Sequence, residues 1–453
     1  MSQTINCFKA YDVRGKVPTE LNEDVAYRIG RAYAAFFKPR QVAVGRDIRL
    51  SSDMLFEALS NGLMDSGVEV LDLGVCGTEQ VYFAAFHLAL DGGIMITASH
   101  NPMDYNGLKF VKENAKPVSS DNGLKDIQLL AEKNEFTDSD HKGSMIQTDL
   151  SSAYIQHLLS YLQETTNLSP FKIVVNSGNG VSGQVVDLLE KHLPFEFIKV
   201  QHEPDGRFPN GIPNPLLPEC RQDTIDAILA HEADFGVAWD GDFDRCFLFD
   251  GNGRFIEGYY IVGLLGVQML KNNPGEKIIH DPRLTWNTRE MIQQNGGSPV
   301  QSKTGHAFMK DTMRSENAVY GGEMSAHHYF RNFGYCDSGM IPWLLIAEMM
   351  TQQGKTLAQL VDERIEAYPV SGEINNTVSD APQVIEKILD YFSNEAHELD
   401  KTDGIGLDFA EWRFNIRCSN TEPLLRLNVE SRADVTLMEE KRDLLLGLIK
   451  QYG

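Results

Sequence analysis

Phe235-Gly236-Val237-Ala238-Trp239-Asp240-Gly241-Asp242-Phe243-Asp244-Arg245 joins a short apolar run directly to three carboxylates at alternate positions. The run has the length and composition of a buried strand. An acidic cluster at the carboxyl end of such a strand lies where open α/β sheets bind ligands. Asp240, Asp242 and Asp244 repel one another unless a cation sits between them, and hard oxygens of this kind suit Mg²⁺. An EF-hand calcium loop is excluded, because the sixth position is Arg245 where Gly is needed and the twelfth is Gly251 where Glu is needed. A solvated acidic turn is the remaining alternative.

Outward from this stretch, strand and helix periods alternate. Towards the N-terminus, helices are expected over residues 22–37 and 53–64, and strands over 41–44, 68–73 and 93–97. Ser51 or Ser52 can cap the second helix and Gly67 can stop it. The pattern restarts with a strand over 172–175 that ends in the turn Ser177-Gly178-Asn179-Gly180. It restarts again with strands over 277–279 and 318–320 and a buried helix over 340–350. The last ninety or so residues differ. Trp412, Phe414, Ile416 and Cys418 alternate with polar residues, as do Leu425, Leu427 and Val429, which predicts strands of a half-exposed sheet closed by a helix over 435–448. The expected fold is α/β: three similar α/β domains with mixed sheets (1–147, 148–249, 250–364) and a C-terminal α+β domain (365–453).

Length and charge narrow the function. A chain of 453 residues exceeds one hydrophobic core, so two to four domains are expected. The net charge of −23 leaves no basic surplus to release counterions, so no nucleic acid partner is expected. The longest apolar stretches, such as 341–350, are too short to span a bilayer, which predicts no membrane segment. Six cysteines are scattered without a C-x-x-C pair and no secretory leader is evident, which together suit a cytoplasmic protein.

Further clusters carry candidate chemistry. Thr97-Ala98-Ser99-His100-Asn101-Pro102 places Ser99 on a tight turn after a strand, its hydroxyl presented outwards, with Lys109 close behind. A capped turn before Pro is the plainer reading. Ser99 and His100 are expected to point apart, as neighbours on a strand do. Arg417-Cys418-Ser419-Asn420-Thr421-Glu422-Pro423 offers a guanidinium, hydroxyls and backbone N–H groups, a donor set suited to a dianionic phosphate or, alternatively, an ordinary hairpin turn. Gly322-Glu323-Met324-Ser325-Ala326-His327 supplies a carboxylate and a hydroxyl able to grip vicinal sugar hydroxyls, with capping as the alternative.

TASHNP with NGLK, DGDFDR, GEMSAH and RCSNTEP occur in this order, one per expected domain, preceded by Tyr11-Asp12-Val13-Arg14-Gly15. Together they resemble the α-D-phosphohexomutases, nearest the bacterial phosphomannomutase/phosphoglucomutase branch, over almost the whole chain. The resemblance implies a TBP-like, mobile fourth domain. It implies that Ser99 is a phosphoserine that donates and recovers a phosphoryl group, and that Ser99, Asp240, Asp242 and Asp244 hold Mg²⁺. Lys109 would be a general acid/base, Arg14 and Arg245 would position the phosphoserine, and His306 would line the sugar site. Glu323, Ser325 and His327 would face the sugar, while Arg417, Ser419, Asn420 and Thr421 would hold the non-reacting phosphate. The implied reaction interconverts mannose 6-phosphate and mannose 1-phosphate through a hexose 1,6-bisphosphate, which also serves as activator, and feeds GDP-mannose and surface polysaccharide. The partner would be the hexose phosphate alone, and the enzyme a monomer or homodimer.

Two positions depart from the resemblance. Phe243 stands where the metal loop usually has Gly, and Ala326 where many relatives have Gly. Other readings remain: a glucose-specific or dual-specificity mutase, a phosphatase using Asp240 as nucleophile, or a non-catalytic sugar-phosphate sensor.

Overall fold

Asn22 accepts a hydrogen bond from Val25 N and so starts the helix Glu23–Phe37, one residue inside the expected span. The second helix, Ser52–Asp65, has Ser51 at its cap position, but the expected side-chain cap is absent: the Ser51 hydroxyl accepts from Asn106 Nδ2 at 2.9 Å instead, and the Ser52 hydroxyl donates to Asp47 at 2.6 Å. Gly67 ends that segment with φ +85°, a conformation that costs other residues strain. The computed structural model describes residues 4–163, 165–418 and 424–453.

The chain forms two compact units. The first comprises the described residues through Phe255 together with His327–Gln352. It holds a seven-stranded mixed sheet whose main path runs Val13–Lys16, Tyr105–Lys112, Gly92–Ile96, Gln41–Arg46, Glu69–Val75, Met145–Gln147. The central three strands, Gly92–Ile96, Gln41–Arg46 and Glu69–Val75, are parallel, as helical crossovers require. A second, four-stranded sheet runs Cys246–Asp250, Phe235–Trp239, Lys172–Asn176, Glu196–Val200. Phe235–Trp239 is fully buried and parallel to Lys172–Asn176, as its unbroken apolar run predicts. Glu79 ties distant segments of this unit together. Its carboxylate accepts from the Tyr154 hydroxyl (2.5 Å), the Ser338 hydroxyl (2.9 Å), Gly339 N (2.6 Å) and Met340 N (3.2 Å). Four donors satisfy a carboxylate that is otherwise cut off from water.

The second unit comprises Ile256–Ala326 and Gln353–Gly453. Its first part pairs Ser298–Gln301, Lys277–His280 and Tyr320–Gly322 as parallel strands. Its C-terminal part is an antiparallel sheet in the order Ile374–Asn376, Leu425–Ser431, Trp412–Cys418, Ile405–Asp408, Glu398–Asp400, covered by helices Ala381–Phe392 and Val435–Tyr452. Phe392, Phe414, Ile416, Leu425, Leu427 and Val429 form its core. The expectation of a half-exposed sheet is corrected here. Arg413, Asn415 and Arg417 on the polar face are also buried, at 2%, 0% and 3% exposure. Ion pairs make that possible: Arg413 meets Asp408 at 2.8 Å and Glu430 at 2.9 Å. Alternation in sequence reports polarity, and a covered polar face alternates just as a wet one does.

His280 is fully buried, and its Nδ1 lies 2.8 Å from the Asp281 carbonyl. Burial pulls its imidazole down to about 4. The unfolded chain, with an ordinary histidine near 6.5, therefore binds the extra proton between those values. The resulting stabilisation is present above pH 6.5 and is lost as pH falls towards 4, about 3 kcal/mol at ~1.36 kcal/mol per unit. Denaturation midpoints measured from pH 4 to 7 should fall more steeply for wild type than for His280→Gln. Parallel slopes would remove this residue from the acid response.

Candidate active site

The strand Phe235–Trp239 delivers Asp240, Asp242 and Asp244 to one place. One oxygen from each lies within 4.8 Å of the others, and all three residues are buried, none more than 3% exposed. Three buried anions at this spacing require cations. Lys109 answers first: its ammonium lies 2.7 Å from Asp242 Oδ2 and 2.5 Å from Asp244 Oδ2. Although burial alone would lower its affinity for the proton, these two carboxylates outweigh it and hold Lys109 charged. Arg245 adds its Nε at 3.5 Å from Asp240 and 3.9 Å from Asp244, and His327 Nε2 lies 3.5 Å from Asp244 Oδ1. Burial, with the charge of Asp244 behind it, pushes the Asp240 carboxyl up. Lys109, His327 and Arg245 overcome burial at Asp244 and hold that carboxyl well below the usual range.

Ser99 faces this centre. It is 2% exposed, and its hydroxyl donates to Asp240 Oδ2 at 2.7 Å. Its φ of +50° is left-handed, so the loop turns sharply after the strand Gly92–Ile96. That turn overturns the expectation that Ser99 and His100 point apart: His100 Nδ1 lies 3.0 Å from Ser99 Oγ and 2.8 Å from Arg245 Nη2. Strand geometry does not apply to a residue in the left-handed region. Burial, together with Arg245 and Arg14, holds the His100 imidazole neutral. Arg14 reaches the same loop, donating to Asn101 Oδ1 and, at 2.7 Å, to Asp12.

Phe243 has φ +44°, the region that its Gly counterpart enters without strain. A Cβ on Gly77 would lie 2.1 Å from the Phe243 ring, so Gly77 leaves the notch into which the ring packs. Next to it, Thr78 binds Asp242 twice, its hydroxyl donating to Oδ2 at 2.5 Å and its N–H to the backbone carbonyl at 3.1 Å. Thr78 carried no motif signal, since a Thr starting a helix reads as an ordinary first-turn residue.

In the second unit, Glu323 Oε1 accepts from Gly305 N at 2.9 Å, which brings the Glu323 loop to the start of helix His306–Ser315. Thus the Glu323 side chain meets the residue just before His306. Ser325 is half-buried, and Ala326 has φ +69° where Gly would be unstrained. Arg417, on the strand Trp412–Cys418, pairs with Glu373 at 3.5 Å and Asp403 at 3.8 Å. Ser419, Asn420 and Thr421 lie outside the described residues.

The carboxylate centre fits a divalent cation. Asp242 Oδ1 is buried with no hydrogen-bond partner, and the donor set is all hard oxygen. A hydroxyl set against metal-ready carboxylates at strand ends, in a mixed α/β fold, is an arrangement suited to phosphoryl transfer. The sequence matches phosphoglucomutase/phosphomannomutase alpha/beta/alpha domain I over residues 6–138, domain II over 152–253, domain III over 257–368 and the C-terminal domain over 373–446. It is 58% identical over 454 residues to a phosphomannomutase of Escherichia coli K12, covering 99% of each chain. It is also 58% identical over 452 residues to a protein named phosphohexose mutases from Xanthomonas campestris, covering 99% of this chain and 100% of the other. A solved phosphoglucomutase/phosphomannomutase family protein from Burkholderia thailandensis superposes with a TM-score of 0.89 at 31% identity, spanning 100% of this chain and 98% of that one. The chain belongs to the phosphoglucomutase/phosphomannomutase family and is an isomerase, a phosphohexomutase. The family is Mg²⁺-dependent.

Removing the hydroxyl that orients Asp242 tests the centre. Thr78→Val should raise the Mg²⁺ concentration for half-maximal binding roughly tenfold, as loss of a ligand-orienting contact does. Calorimetric Mg²⁺ titration checks this, and an unchanged affinity would leave Thr78 without that role.

Proposed function

We propose that the enzyme interconverts mannose 6-phosphate and mannose 1-phosphate by way of phospho-Ser99 and a hexose 1,6-bisphosphate. The supporting observation is the Ser99 hydroxyl 2.7 Å from Asp240 inside a buried three-carboxylate centre. Mannose is favoured by the name phosphomannomutase carried by the Escherichia coli relatives at 58% identity. The product would supply GDP-mannose and surface-polysaccharide synthesis in the cytoplasm. Among the described residues no helix is long and apolar enough to cross a membrane.

In the first half-reaction the P–O bond to Ser99 Oγ breaks and one forms to the O1 or O6 hydroxyl of a hexose monophosphate. The hydroxyl proton ends on Ser99 Oγ, relayed through Lys109, and the second half-reaction reverses these changes at the other position. Phosphoryl transfer depends on positioning and charge neutralisation more than on covalent activation. Bound Mg²⁺, held by Asp240, Asp242, Asp244 and an oxygen on Ser99, would draw charge from the transferring group. Arg245 and Arg14 hold the Ser99 loop and its phosphoryl group. Glu323, Ser325, His327 and His306 select the sugar, while Arg417, Ser419, Asn420 and Thr421 grip the phosphate that does not react. Domains spanning 1–147, 148–249 and 250–364 carry these parts, and the domain from 365 onwards closes as a lid that keeps water from the bisphosphate.

A ³¹P NMR time course with Mg²⁺ and a trace of hexose 1,6-bisphosphate tests the reading. Mannose 1-phosphate should convert to the 6-phosphate, faster than glucose 1-phosphate does. Release of inorganic phosphate alone would contradict a mutase. Ser99→Ala should retain its fold by circular dichroism and lose turnover; wild-type activity in that variant would refute the phosphoserine. Arg417→Ala should raise KM at least tenfold, the loss of one charge-assisted phosphate contact. Unchanged kinetics would remove Arg417 from the phosphate site.

A further inference from the structure

Arg49 lies outside every motif named above, yet it donates to four backbone carbonyls of the Ser99 loop. Its side chain is 1% exposed. Nη2 donates to the carbonyls of Ser99 (2.9 Å) and Asn101 (2.6 Å), and Nη1 to those of Pro102 (2.8 Å) and Tyr105 (3.0 Å). Asp47, 3.4 Å from Nε, balances the charge. Asp47 is itself fixed by the Ser52 hydroxyl at 2.6 Å and by Arg49 N at 3.0 Å. The Phe208 ring lies 5.5 Å from the guanidinium carbon. One planar cation therefore gathers four carbonyls from a seven-residue stretch, and a guanidinium fork is the side chain suited to that geometry.

Two facts give the clamp a purpose. Ser99 sits at φ +50°, a conformation that strains a non-glycine residue and persists only where its surroundings impose it. Contacts at the Ser99 side chain depend on charge at the reacting end. Ser99 Oγ bonds to Asp240 as a free hydroxyl, whereas a phosphoryl dianion there would repel Asp240 and draw on the cations instead. That contact changes at each half-reaction. On the loop Arg49 bonds to backbone carbonyls alone, so its hold does not run through the Ser99 side chain.

We propose that Arg49 is a positioning residue that keeps the Ser99 loop in one conformation through both phosphorylation states. The dephosphorylated enzyme then takes a phosphoryl group back from the 1,6-bisphosphate before that intermediate escapes. This rests on the phosphoserine mutase reading above. Loosening the clamp raises the rate of escape relative to return, and each escape leaves an inactive dephospho-enzyme that needs external bisphosphate to restart.

The test is the dependence of mutase rate on added glucose 1,6-bisphosphate for wild type and Arg49→Lys, whose single ammonium cannot span four carbonyls. The half-activating concentration should rise about tenfold or more in the variant, in line with the sensitivity of reacting groups to small misplacement. KM for the hexose monophosphate should be unchanged, and saturating activator should restore kcat to within about threefold. In parallel, ³²P-phosphoenzyme mixed with unlabelled hexose phosphate should release more labelled bisphosphate per turnover in the variant. An unchanged half-activating concentration in folded Arg49→Lys would overturn the proposal, as would a fall in kcat that saturating activator does not restore. Should Arg49→Lys fail to fold, Asp47→Asn, which keeps the guanidinium but loosens its anchor, is held to the same two readouts. Absence of mutase turnover in the wild type would instead refute the phosphoserine reading itself.

Discussion

Three carboxylates buried within 4.8 Å of one another set the terms for the first unit. Asp240, Asp242 and Asp244 repel each other strongly in a medium that screens poorly. Lys109 and Arg245 lie beside them and offset part of that repulsion. The same arrangement that is costly without cations is one in which a divalent metal is strongly favoured. Ser99 enters this field with its hydroxyl on Asp240, so the hydroxyl and the three carboxylates are brought together in one buried cluster. Their framework is correspondingly rigid: Thr78 holds Asp242, Gly77 admits Phe243, and Glu79 gathers four donors within one helical turn of both.

The departures from glycine at Phe243 and Ala326 show how a strained position is retained. Both occupy left-handed backbone, φ +44° and +69°. At Phe243 the ring fills a notch that Gly77 vacates, and its complete burial offsets the modest backbone cost. A methyl at Ala326 carries less strain than a larger side chain would.

Much of this was legible in the sequence because it rests on local chemistry. The run Phe235–Trp239 is the strand expected, and the carboxylates that follow meet at its end because alternate residues of a tight loop converge. What was not legible depends on long-range pairing. Arg49 and Thr78 acquire their roles from partners 50 and 164 residues away, for which no spacing rule exists. His100 was misplaced because the left-handed turn at Ser99 could not be read from Ala-Ser-His. The covered polar face around Arg413 was missed because alternation is blind to what packs on either side. Ser419, Asn420 and Thr421 lie outside the described residues, so for them the motif alone speaks.

The central claim is that the phosphoryl group travels through Ser99. Acid-quenching the enzyme during turnover and mapping phosphate by peptide mass spectrometry tests it most directly. The account predicts an acid-stable phosphate on the peptide containing Ser99, resistant to hydroxylamine, whose ³²P label passes to added hexose monophosphate. A hydroxylamine-sensitive phosphate on the peptide containing Asp240 would contradict it.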